Sequence, residues 1–173
     1  MNAPLASSFD RLEQQRTYFS AWVANAPAAA QYRQPGSNQW SAAQVLFHLA
    51  LVDQQVVTAL EKRIASGKPL RPLRFKAKVR AFLLKWALRL PIKFKAPPAV
   101  REVPDTVNVS EVVQEWQTTR SRLQALLEAY PAQELDKEAF FHPRAGMLSL
   151  PQTLQFLEDH TEHHRRQMQR LLP

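Results

Sequence analysis

The sequence predicts an all-α protein: a four-helix bundle with a long crossover between its second and third helices. Three observations carry that prediction. Apolar residues recur at helical spacing over four long stretches. Only three glycines occur in 173 residues, and the thirteen prolines cluster between the helical patterns. No stretch reads convincingly as a strand. At this length residues 1–173 are expected to form one domain, large enough for a real core.

The first helix is expected from Leu5 to about Ala26. Phe9, Leu12, Arg16, Phe19 and Val23 fall at helical spacing, with Ser7 or Ser8 as a start. Asn25 and Pro27 end it, and Gln34-Pro35-Gly36-Ser37 reads as a loop. The second helix starts at Ser41, with Gln44 three residues on as in a capping box, and stops near Ser66-Gly67. Its stripe is Val45, Leu49, Val52, Val56 and Leu60, and His48 lies on it. Trp40 reads as a hydrophobic staple under the start of this helix.

The connection spanning residues 67–109 carries an accessory helix at about 74–90. Phe75, Val79, Phe82, Leu83, Trp86 and Leu90 form an amphipathic stripe, with Lys76, Lys78, Arg80, Lys85 and Arg89 off it. Pro91, Pro97 and Pro98 close it. The expected role is a helix packed on the bundle with its lysines solvated. A lid or a surface for an anionic partner is the sharper alternative.

The third helix starts at Asn108 or Ser110 and reaches Tyr130-Pro131. Val109, Val112, Val113, Trp116, Leu123, Leu126 and Leu127 make its stripe. Thr119 and Arg120 sit midway, where surface or packing roles are expected. A turn at Ala132 to Lys137 leads to Phe140-Phe141-His142-Pro143, and Gly146 precedes the fourth helix, Ser149 to Leu172. There Ser149 and Gln152 suit a capping box, and Pro151 is tolerated in the first turn. Arg165, Arg166 and Arg170 suit the dipole at its end.

Charge is unevenly spread. Of the 23 Lys and Arg, 13 lie between Lys62 and Arg101, where there is no acid. The remaining ten face all 15 acids, so the net +8 divides into a cationic segment and a body of −5. That pattern is no whole-protein nucleic-acid footprint. The N-terminus lacks a basic start and an apolar run, so it is not read as a signal peptide. No apolar run approaches membrane-spanning length, and a soluble cytoplasmic protein is expected. With no cysteine, disulfides, thiolate ligands and a cysteine nucleophile are excluded; any metal must rest on nitrogen and oxygen.

The fourth helix has a gap in its stripe of Leu154, Leu157, Met168 and Leu171. His160 and His164 fill it. At i, i+4 two imidazoles share one face and can chelate one ion. Taken singly, each histidine on an apolar stripe also reads as a hydrogen-bonded core residue; His48 on the second helix would supply a third imidazole and place three nitrogens around one point, as bundles build metal sites from facing helices. Zinc held by three histidines keeps a fourth position for water, while nickel or iron would leave more positions open. Neutral ligands leave the ion its full charge, which acidifies a bound thiol or water.

Trp-Ser-Ala-Ala-Gln-Val-Leu-Phe-His-Leu-Ala (40–50), Phe-His-Pro-Arg-Ala-Gly-Met-Leu-Ser-Leu (141–150) and His-Thr-Glu-His-His-Arg-Arg-Gln (160–167) stand together in one order and spacing. In these the chain resembles the DinB-like family, also called the YfiT-like metalloenzymes. The resemblance implies a four-helix bundle holding a divalent metal on His48, His160 and His164. It also implies that His163 flanks the site, that Gln167 supports a ligand from behind, and that His142 is structural. Many relatives carry Gly where this chain has Arg166, which bears on the pocket mouth. Relatives include thiol-using S-transferases, a thiol-dependent isomerase and presumed hydrolases, and they are often dimers.

The resemblance therefore points to a thiol S-transferase or related hydrolase that activates a thiol or water. Its partners would be a small-molecule substrate and a low-molecular-weight thiol, without specific nucleic acid or a membrane span; no stripe demands a second copy. Asp53, Asp159 and Glu162 lie near the ligands in sequence, but Asp53 should point elsewhere and the other two are expected on a solvated face. No catalytic base is assigned. The competing expectations are a non-catalytic, metal-stabilised interaction module with a basic surface helix, and a degenerate member whose histidines bind nothing.

Overall fold

The protein is described from a computed structural model covering residues 1–37, 39–89 and 103–172. It is mostly helical. Four long helices, α1 (Ala3–Ala24), α3 (Ala42–Ala65), α5 (Val109–Ala129) and α6 (Leu150–Leu171), form the bundle. A short helix, α2 (Ala28–Tyr32), follows α1, and α4 (Phe75–Arg89) lies in the connection from α3 to α5. Within the bundle α3 packs most extensively on α5, and α1 on α6. By length and composition α3 would span a membrane, against the expectation that no run approaches that length. Here, however, 67% of its most apolar window is buried in the protein.

Helix starts follow local chemistry. Ser41 Oγ accepts from the Gln44 amide and Gln44 returns a bond to the Ser41 amide; Ser149 and Gln152 repeat the pattern. Asn108 caps α5, accepting from the amides of Ser110 and Glu111. At the end of α3, Gly67 takes φ 61°, the left-handed position that closes a helix without a Cβ penalty. The first helix begins at Ala3 after Asn2, earlier than Leu5, Ser7 or Ser8, with Pro4 in its first turn. Proline there costs little because its missing N–H would have no helical partner.

One expectation is overturned outright. Residues expected to hold no strand form a hairpin, β1 (Phe140–His142) paired antiparallel with β2 (Gly146–Leu148), in register Phe140 to Leu148 and His142 to Gly146. Strands of three residues are too short to show a period of two. Their turn is fixed by side-chain chemistry: His142 Nδ1 accepts from the amides of Arg144 and Ala145, each at 3.2 Å, and Gly146 adopts φ 76°.

Two apolar clusters fill the bundle. One contains Leu5, Leu12, Val56, Leu60, Leu123, Leu127, Leu154 and Leu157. The other contains Phe19, Val23, Val45, Leu46, Trp116, Met168 and Leu171. Two polar groups lie inside the bundle: Glu13 from α1 and Asp53 from α3 around Arg120 from α5, and His48 from α3 with His160 and His164 from α6. Arg120 is buried, with its guanidinium 2.5 Å from Asp53 Oδ2, and Trp116 Nε1 donates to the same oxygen at 2.5 Å. Burial pushes the Asp53 carboxyl up, while Arg120 and Trp116 oppose the rise.

The accessory helix packs on α6 and β2, but with the unexpected face. Leu88 is buried, and Ala81 and Leu84 rest against the first cluster. The predicted stripe of Phe75, Val79, Phe82, Leu83 and Trp86 faces solvent. Its last member, Leu90, and Pro91, Pro97 and Pro98 lie outside the described residues. The face that packs is made of Ala81, Leu84 and Leu88, opposite the larger side chains.

Candidate metal centre

His160 and His164 stand one turn apart on α6, with ring centroids 4.9 Å apart. His48 reaches them from the buried face of α3, its centroid 5.2 Å from His160 and 5.1 Å from His164. One nitrogen from each ring can be chosen so that all three lie within 4.8 Å of one another. The Nε2 atoms of His48 and His160 are 3.3 Å apart. Two nitrogens bound to one tetrahedral zinc at about 2.0–2.1 Å would sit roughly 3.3 Å apart. A pairwise hydrogen bond also fits that single distance, but it does not account for a third ring converging on the other two.

The surroundings favour the ligand form of the rings. Gln167 Oε1 lies 2.9 Å from His164 Nδ1. An amide oxygen can only accept, so Nδ1 carries the proton and Nε2 keeps its lone pair for the centre. Burial pushes His164 down to about 3, and His48 adds to the effect. His160 is held well below the usual histidine range, first by burial and then by the neighbouring imidazoles. Both are neutral at pH 7, as metal ligation requires. A donor set of three converging imidazoles, one with an oriented tautomer, fits a divalent ion.

Aromatic rings wall the cluster. Trp40 stacks on His48 at 4.8 Å, so it does more than staple the start of α3. Phe156 packs on His160 at 5.7 Å and on His142 at 4.6 Å. Sequence reasoning passed over Phe156, although its place one turn before His160 was a usable signal. His142 is the structural residue expected, and burial pushes it down to about 4.

His163 flanks the cluster, its Nδ1 donating to the Leu88 carbonyl of α4 at 2.8 Å. Arg166 is exposed. Asp159 departs from the solvated role expected of it: it is buried and paired with Arg89 of α4 at 3.1 Å. Glu162 does face solvent and binds Arg165 at 2.7 Å. Asp53 points elsewhere, into its pair with Arg120. These three carboxylates are thus held by arginines, as is Glu158, two residues before His160, by Arg11. A separate shallow groove, lined by Trp22, Ala26, Ala30, Arg33 and Leu171, contains none of the five histidines.

Comparison with known proteins agrees with this architecture. A search of solved structures gives YfiT from Bacillus subtilis, described as a probable metal-dependent hydrolase with an unusual four-helix bundle topology. The alignment has a TM-score of 0.64 at 19% identity, covering 96% of this chain and 84% of that one. At such identity the likeness concerns the fold. No curated protein matches the sequence. The sequence model of the DinB superfamily matches residues 11–168. With nearly the whole bundle inside that match, the chain belongs to the DinB superfamily.

Proposed function

We propose that His48, His160 and His164 bind one divalent metal ion, and that the loaded protein is a thiol S-transferase or a related hydrolase. The observation that carries the reading is the convergence of three imidazoles from two helices, with two Nε2 atoms 3.3 Å apart. An ion held there supplies a Lewis acid with its full +2 charge, which acidifies a thiol or a water. Zinc, nickel and iron all accept imidazole, and zinc suits three ligands with one vacancy best. Gln167 fixes the ring of His164, while Trp40 and Phe156 fix the rings of His48 and His160 and keep water from their sides. The reaction belongs in the reducing cytoplasm, where small thiols stay reduced.

A second reading has its own support. Asp53, Asp159 and Glu162 are each tied to an arginine, so none of them is offered as a proton acceptor. A metal-stabilised interaction module needs no such group. Elemental analysis of purified wild-type and His164→Ala protein tests the ion: about one equivalent is expected in the first and little in the second. Equal content in both would remove the site. Incubating metal-loaded protein with small thiols and an electrophilic bimane reports S-transfer as fluorescence. Turnover that His164→Ala abolishes supports the enzyme, and no turnover with full metal supports the module.

A further inference from the structure

We propose that the exposed face of α4 docks on an anionic lipid bilayer. Phe75, Val79, Phe82, Leu83 and Trp86 are between 42% and 79% exposed, although all five are large and apolar. They follow helical spacing, so they form one continuous strip along the outside of the helix. The opposite side, Ala81, Leu84 and Leu88, packs on the bundle. Among the described residues the strip joins neither core cluster, and its aromatic pair, Phe82 and Trp86, stack edge-on at 6.1 Å.

Charge selects the occupant. At about 100° per residue, Lys76 and Arg80 border the strip on one side and Lys78 and Lys85 on the other, while Arg89 is taken up by Asp159. The chain from Lys62 to Arg101 has 13 basic residues and no acid, while the rest of the chain carries −5. An anionic surface attracts this segment and repels the body, which orients α4 towards the lipid. Phenylalanine, leucine and tryptophan then enter the headgroup boundary while the cations stay with the headgroups, as in interfacial amphipathic helices. A second copy of the chain fits less well, because two such faces would oppose cations with no acid between them. Nucleic acid would satisfy the cations and stack on the aromatic rings, but would leave Val79 and Leu83 without a partner.

Flotation with phosphatidylcholine vesicles, alone or mixed with phosphatidylglycerol, tests the proposal on the full chain. Binding to the anionic vesicles alone, weakened by salt, is expected. Leu83→Ser/Trp86→Ser should lower the partition at least about tenfold, and Lys76→Glu/Lys78→Glu should weaken it and flatten its salt dependence. Circular dichroism and the unfolding midpoint should be unchanged, since these side chains are exposed. No binding to anionic vesicles, equal binding to neutral ones, or indifference to the serine pair would overturn it. So would tighter binding to a short DNA duplex, or a dimer that the serine pair dissociates. The metal centre does not enter this test, so its failure leaves the reading of the histidines standing.

Discussion

Gln167 Oε1 and His164 Nδ1 are 2.9 Å apart, and that contact decides which nitrogen of His164 faces the other two rings. If His164 is a ligand, its affinity depends on Gln167. Gln167→Ala should weaken metal binding by about 10- to 100-fold, the usual cost of losing such a partner. Competition with a chromogenic chelator measures it. Unchanged affinity would mean that the ring is oriented by something else.

Acid should destabilise the metal-free protein through its buried histidines. Burial lowers His164 to about 3 and His142 to about 4, against 6.5 for the free side chain. His160 shifts the same way. Between the folded and unfolded values the unfolded chain binds more protons, so stability rises with pH. These groups should add no pH dependence well above pH 6.5. Below it each should remove up to about 1.4 kcal/mol per pH unit, until its folded value is reached. Urea midpoints across that range provide the measurement, and a midpoint that holds steady on acidification would contradict it.

The Asp53–Arg120 pair is buried, with both side chains at 3% exposure or less. Asp53→Ala leaves the buried guanidinium with only Glu13, 3.7 Å away, and should cost up to about 3–5 kcal/mol. It also leaves the Trp116 N–H without its partner. The double replacement Asp53→Leu/Arg120→Met should recover much of that loss, because no charge remains to be solvated. Denaturant unfolding of the single and double variants checks the order; a double variant less stable than Asp53→Ala would refute it.

Ser149 caps the helix that carries two candidate ligands. Ser149→Ala frees the Gln152 amide and should destabilise by about 1 kcal/mol. Ser41→Ala on α3 should behave alike, since its capping box is the same. Thermal unfolding gives the comparison.

Much of this architecture was legible in the residues. Both capping boxes involve partners three positions apart, whereas the role of Gln167 beside His164 came from the family resemblance. Local spacing suffices to place the capping groups. The stripes of the four long helices were legible for the same reason. One error arose because the deciding partner lay far along the chain. Asp159 was assigned to solvent because nothing nearby in sequence marks Arg89 as its partner. The hairpin at Phe140–His142 was missed because a strand of three residues has no measurable period, and its turn depends on one imidazole accepting two amides.

The sequence by itself determined the four long helices, the capped starts of three of them, and which face of α6 holds His160 and His164, because a helix converts spacing along the chain into direction. Only the tertiary structure decided that His48 meets that pair and that α4 turns its larger apolar face outward. Both depend on how separate helices pack, and packing follows the shapes of surfaces that are distant in sequence. A single stripe can state that a face is apolar; it cannot state what will cover it.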